Sequence, residues 1–88
     1  MGGAEVTVYT SGFCGYCTRV LALLERRGIR HREVSVEDHP ELREKLLARS
    51  GRRTLPQVYV GERFVGGADE VAALDRSGKL SQLLQSEE

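Results

Sequence analysis

Residues 5–17 read Glu5-Val6-Thr7-Val8-Tyr9-Thr10-Ser11-Gly12-Phe13-Cys14-Gly15-Tyr16-Cys17, and this stretch decides the fold. Its first five residues alternate and are rich in β-branched and aromatic side chains, the pattern of a half-buried strand. Thr10 to Gly12 break that pattern. From Gly15 to Arg27 the residues Val20, Leu21, Leu23 and Leu24 recur at helical spacing, and Gly28 supplies the expected stop. A strand therefore runs through a short loop into a helix, with two cysteines at the junction. Positions three apart lie on one helix face, so the two sulfurs can close and reopen a small ring. Cys14 stands at the helix N-terminus, where unpaired N–H groups and the macrodipole favour a thiolate. Cys17 lies deeper and stays a thiol until it resolves a mixed disulfide.

Outward from this unit, His31 to Val36 alternates as a second strand, and Glu37-Asp38-His39-Pro40-Glu41 carries the acidic residues and early proline of a helix start. That helix runs to Ser50 before Gly51, with Leu42, Leu46 and Leu47 as its buried stripe. Gln57 to Val60, the turn Gly61-Glu62 and Arg63 to Val65 read as a hairpin. Asp69 is the expected cap of a helix through Val71, Ala72 and Leu74 to Ser77-Gly78, and Leu80, Leu83 and Leu84 support a last short helix before a charged tail. Met1 to Ala4 form a small lead-in. A β-α-β unit favours a parallel pair through a right-handed crossover, and the hairpin adds antiparallel strands. The expectation is an α/β fold, a four-stranded mixed sheet flanked by helices on both faces.

Eighty-eight residues have room for one domain and one modest core, so residues 1–88 read as a single domain. Thirteen Lys plus Arg balance thirteen Asp plus Glu, which gives no electrostatic case for nucleic acid or an anionic membrane as partner. No apolar run approaches the roughly 18 to 20 residues that span a bilayer, and the N-terminus lacks a charged-then-apolar signal pattern. The expected location is the cytoplasm. A secreted domain of this size usually carries four or more cysteines, whereas this chain has two, so chemistry explains the pair better than stapling does. A C-x-x-C pair can be half of a zinc site, but no second pair exists and His31 and His39 lack finger spacing, so no metal site is expected. Two inert buried cysteines are the other alternative, and the loop Ser11-Gly12-Phe13 argues against it.

Two further segments carry chemistry. In Thr54-Leu55-Pro56, proline removes a donor and can adopt the cis peptide, leaving the preceding backbone free to pair with an extended ligand; Pro56 beginning an edge strand is an equal reading. Gly66-Gly67-Ala68-Asp69 joins a strand to a helix and presents N–H groups that suit a carboxylate, a weak signal when taken alone.

Tyr9-Thr10 leading to Cys14-Gly15-Tyr16-Cys17, then Thr54-Leu55-Pro56, Gly66-Gly67 and the stretch Ala73-Leu74-Asp75 to Leu80, in this order and spacing, resembles the glutaredoxin family. The resemblance covers about Val6 to Leu84 and implies a thioredoxin-like fold. It also implies that glutathione is the reducing cosubstrate and that glutathionylated or disulfide-containing proteins are the targets. Cys14 would be the nucleophile and Cys17 the resolving thiol. Leu55 would pair its backbone with the cysteinyl part of glutathione, with Thr54 and Pro56 beside it, and Gly67, Ala68 and Asp69 would hold the γ-glutamyl end. Arg43, eleven residues before Thr54, would bind the glycyl carboxylate, and Tyr16 would line the groove.

Two departures qualify this expectation. Many members carry Lys three residues before the nucleophile, where this chain has Ser11, so the helix dipole must supply more of the thiolate stabilisation and Cys14 is expected to be less acidic than theirs. The commoner Cys-Pro-Tyr-Cys is here Cys14-Gly15-Tyr16-Cys17, which resembles glutaredoxins that share a [2Fe–2S] cluster between two protomers and two glutathiones. The main expectation is a monomer, and the alternative is a cluster-bound homodimer acting as carrier or sensor. A second alternative is a redoxin reduced by thioredoxin reductase or by another low-molecular-weight thiol.

Overall fold

The computed structural model describes residues 5–12 and 14–86; Phe13, the Met1 to Ala4 lead-in and the end of the charged tail lie outside the described residues. Eight elements follow one another: β1 (Val6–Thr10), α1 (Gly15–Arg26), β2 (Arg32–Ser35), α2 (Leu42–Ser50), β3 (Gln57–Val60), β4 (Arg63–Gly66), α3 (Ala68–Arg76) and α4 (Lys79–Ser86). The sheet order is β2-β1-β3-β4. β1 runs parallel to β2, pairing Val8 with Glu33, and antiparallel to β3, pairing Val8 with Val58. β3 and β4 form the hairpin, with a bulge between Val58 and Tyr59. This is the thioredoxin-like α/β arrangement.

The alternation of β1 sorts its residues onto two faces. Val6 and Val8 pack with Val20, Leu23 and Leu24 of α1, Val58 and Val60 of β3, Val71 of α3 and Leu80 of α4. On the other face Tyr59 packs with Val36 and with Leu46 of α2, joined by Tyr9, Leu42, Leu55 and Phe64. Helices therefore cover both faces, and the chain leaves β1 for α1 at the edge between the two cores. Among the described residues, no helix is long and apolar enough to cross a membrane.

Several boundaries differ from the sequence reading, each for a local reason. Thr10 belongs to β1 rather than to the break: it is 2% exposed, its hydroxyl donates to Glu33 at 2.9 Å, and its carbonyl accepts from Val36 N–H. Glu5 precedes the strand, and β2 is shorter at both ends than His31 to Val36. The Glu37 to Glu41 segment forms turns, with His39 N–H bonded to the Val36 carbonyl and Leu42 N–H to that of His39, so α2 begins only at Leu42. Its stripe is narrower than expected: Leu46 is buried, while Leu42 and Leu47 are half-buried. Asp69 does not cap α3. Gly67 occupies the cap position, because the Glu70 carboxylate reaches back to its N–H at 2.8 Å.

Candidate functional site

Cys14 is the N-cap of α1, with extended backbone at φ −116° and ψ 107°, so its sulfur stands in front of the helix's first free amides. Cys17 N–H donates to Cys14 Sγ at 3.2 Å. The sulfur lies 3.8 Å from the Leu55 carbonyl oxygen, to which the thiol donates. Cys14 is half-exposed, Cys17 is 3% exposed, and both are free. Burial, reinforced by its hydrogen bond with Cys14, pushes the Cys17 thiol up to about 12, against a smaller opposing contribution from a backbone hydrogen bond with Ser11. Charge on Cys14 and on Glu33 acts in the same upward direction as burial. The two cysteines are thus unlike in environment. One is accessible and faces amide dipoles; the other is enclosed and held protonated at neutral pH.

The Leu55–Pro56 peptide is cis. Tyr16, Thr54, Leu55, Pro56, Gly67, Ala68 and Asp69 all border one groove of about 290 Å³. Three segments far apart in sequence, each singled out for its own chemistry, therefore meet beside Cys14. Tyr16 is 57% exposed, with the Arg19 guanidinium 5.5 Å from its ring centroid. At Gly67 the α3 start approaches the Pro56 carbonyl closely: a Cβ there would lie 3.2 Å from its oxygen, so a larger residue asks that backbone to shift by a few tenths of an ångström. Gly66 has φ +148°, and a Cβ there would fall 2.4 Å from Glu70 Cβ, so backbone and space both demand glycine.

Arg43 is placed differently. It lines an adjoining cavity of about 130 Å³ with Arg53, Leu46 and Leu47, and the two cavities share Arg52 and Leu55. Sequence reasoning missed two groove residues, Arg52 and Glu70. They pair at 3.0 Å, with the Arg52 guanidinium 5.2 Å from the Phe64 ring centroid. Arg52 and the Gly67 amide hold the Glu70 carboxyl down at about 2. Glu70 was detectable as the third residue after Gly67, the spacing of a side chain that returns to cap its own helix. Arg52 carried no signal beyond its nearness to Thr54.

Among the described residues, no group of three or more His, Cys, Asp or Glu could hold a metal ion. The groove offers the backbone of the Thr54–Pro56 segment and the N-terminus of α3, with the Cys14 sulfur next to it at the Leu55 carbonyl, an arrangement suited to an extended thiol compound with a carboxylate.

The family model described as Glutaredoxin matches residues 6–65. A glutaredoxin of Pseudomonas aeruginosa is 43% identical over 81 residues, covering 92% of this chain and 96% of the relative. Glutaredoxin 3 of Escherichia coli K12 is 39% identical over 82 residues, covering 93% and 99%. Among solved structures, the solution structure of glutaredoxin from Brucella melitensis matches with a TM-score of 0.87 at 41% identity, covering 100% of this chain and 96% of that one. A buckwheat glutaredoxin–glutathione complex matches at 0.84 and 34%, covering 90% and 74%. The holo form of glutaredoxin C1 from Populus tremula x tremuloides matches at 0.87 and 32%, covering 98% and 80%.

Proposed function

The chain belongs to the glutaredoxin family of thiol-disulfide oxidoreductases, and from that membership we propose that it uses glutathione to reduce glutathione mixed disulfides and protein disulfides. The carrying observation is the position of Cys14 Sγ, which accepts Cys17 N–H at 3.2 Å and lies 3.8 Å from the carbonyl of Leu55, a residue that borders the groove. A glutathione complex among the similar structures supports the same ligand.

With a glutathionylated protein, the Cys14 thiolate attacks the glutathione sulfur, the S–S bond breaks, and the protein thiolate leaves and takes a proton. Cys14 now carries glutathione. A second glutathione thiolate attacks that glutathione sulfur, releasing oxidised glutathione and restoring the Cys14 thiolate. With a protein disulfide, Cys14 opens the bond and forms a mixed disulfide, and the target's other sulfur takes a proton. Cys17 then loses its proton and attacks Cys14 Sγ, which frees the reduced target and leaves a Cys14–Cys17 disulfide for two glutathiones to reduce. The high pKa of Cys17 keeps it from competing as a first nucleophile.

In this reading Leu55 pairs its backbone with the cysteinyl unit of glutathione, between Thr54 and Pro56, and Tyr16 flanks the groove. Gly67, Ala68 and Asp69 offer the α3 N-terminus to the γ-glutamyl carboxylate, and Arg43 takes the glycyl carboxylate from its adjoining cavity. Residues 1–88 act as one domain and as a monomer, in a reducing compartment such as the cytoplasm.

Cys17→Ser, assayed with a glutathionylated protein, tests the mechanism: turnover should persist, whereas Cys14→Ser should abolish it. Reduction of protein dithiol targets should fall in both variants. Loss of the first activity in Cys17→Ser would overturn the single-thiol route. Comparing turnover supported by glutathione, by other low-molecular-weight thiols and by thioredoxin reductase identifies the reductant.

A second reading is a [2Fe–2S] cluster held by Cys14 from each of two copies and by two glutathione sulfurs, thiolates being the usual ligands of such clusters. The motif Cys14-Gly15-Tyr16-Cys17 favours it, through its resemblance to glutaredoxins that share such a cluster. A similar chain with a holo form is consistent with it. Anaerobic reconstitution with iron, sulfide and glutathione should then give a coloured dimer; a colourless monomer rules it out.

A further inference from the structure

Gln57 is 1% exposed, a polar side chain deep in the α2 side of the sheet. Its amide is fully engaged. Nε2 donates to the carbonyls of Arg52 at 3.0 Å and Thr54 at 3.1 Å, and Oε1 accepts from the Tyr59 hydroxyl at 3.1 Å. The orientation of the amide follows from chemistry: two carbonyl oxygens can be met only by its NH2 group, which leaves the oxygen for the hydroxyl. Tyr59 cannot drift away from this bond. Its ring is wedged 5.5 Å from that of Tyr9 and 5.3 Å from that of Phe64, with the Arg49 guanidinium 4.5 Å from its centroid.

The segment tied by Gln57 joins α2 to β3, has neither helical nor strand pairing, and presents Arg52, Thr54, Leu55 and Pro56 to the groove. Ser50 Oγ accepts Arg52 N–H at 3.1 Å and so anchors its beginning. Gln57 grips it at two carbonyls, on either side of Arg53. We propose that Gln57 is a positioning residue for ligand binding: from the wall of the cavity that it lines with Arg43, Arg52 and Leu55, its amide holds the Arg52–Leu55 backbone in the shape that lets Leu55 and Arg52 meet the ligand. It touches neither cysteine in any hydrogen bond described, so its effect falls on affinity rather than on the reactivity of Cys14. The inference rests on reading the groove as the glutathione site.

The test is Gln57→Met, which keeps length and much of the volume while removing the amide, with Tyr59→Phe as a second variant that removes only the hydroxyl orienting it. Three quantities are measured: the apparent KM for glutathione, kcat with a glutathionylated protein, and the rate of Cys14 alkylation by iodoacetamide, which needs no groove. Gln57→Met should raise KM about tenfold, on the order of the loss of two buried hydrogen bonds, with kcat and the alkylation rate within about threefold of wild type. Tyr59→Phe should shift KM in the same direction by a smaller factor, and it decides the matter if Gln57→Met does not fold. A wild type that saturates with glutathione while the folded variants keep its KM overturns this inference alone. Alkylation slowed in proportion to the KM change also overturns it, since that is a general structural effect. A wild type that never saturates with glutathione overturns the functional reading and this inference with it.

Discussion

Replacing Glu70 by Gln removes one charge from the wall of the groove. The Glu70 carboxylate accepts Gly67 N–H at 2.8 Å and pairs with Arg52 at 3.0 Å. The Arg52 hydrogen bond first, then the Gly67 amide, lower its pKa from 4.5 to about 2. Glutamine retains an oxygen for the amide, but its NH2 replaces the oxygen that faces Arg52, so the charge and the Arg52 hydrogen bond are lost together. Taken in full, that depression corresponds to about 3 kcal/mol of folding stability. The Arg52 and Glu70 side chains are 42% and 44% exposed, and screening by water reduces the retained amount to about 1 kcal/mol. A depressed carboxylate pKa stabilises the folded state above its unfolded value near 4.5, and the contribution disappears as pH falls through the folded value. Urea denaturation should therefore find wild type about 1 kcal/mol more stable than Glu70→Gln at pH 7. That gap should narrow steadily below pH 4.5 and close as the pH approaches 2. High salt should shrink it at every pH. A gap that stays constant from pH 7 into the acid range, or widens there, would refute the assignment of this stability to the charge.

Three other perturbations test the site and its support. Gly66→Ala should cost about 2–3 kcal/mol in a denaturant titration, because the new Cβ falls on Glu70 and the backbone conformation suits glycine; an unchanged midpoint would remove the steric argument. Iodoacetamide at pH 8, followed by peptide mass mapping, should modify Cys14 rapidly and leave Cys17 almost untouched, because burial raises the Cys17 thiol to about 12; equal labelling of the folded protein would contradict this. Leu24→Ala, at a core position 1% exposed, should destabilise by about 3 kcal/mol while the alkylation rate of Cys14 in the folded protein is retained.

The segments that form the candidate site were largely legible because each is local. Cys14 and Cys17 need only a helix start and a three-residue spacing, and both follow from the periodicity of Val20 to Leu24 and the loop before it. Thr54-Leu55-Pro56 and Gly66-Gly67 announce themselves through residues with restricted or extended backbone freedom. The capping of α3 was misread for a comparably local reason. Asp69 is a good cap by composition, but the Glu70 side chain is the one that returns to the Gly67 amide. The start of α2 was misread because acidic residues and Pro40 suit tight turns as well as a first helical turn.

By itself the sequence determined the order of elements, the pairing of an accessible and an enclosed cysteine, and the three segments proposed to contact a ligand, since each depends on spacing within a few residues. Only the tertiary structure decided that these segments share one groove, that Arg43 stands in an adjoining cavity, that Arg52 and Glu70 pair in the groove wall, and that Gln57 ties the Arg52–Leu55 segment from the wall of that cavity. Those are contacts between α1, α2, β3, α3 and the segment that joins α2 to β3, and their distances come from how two cores pack on one twisted sheet, which no local pattern in the chain encodes.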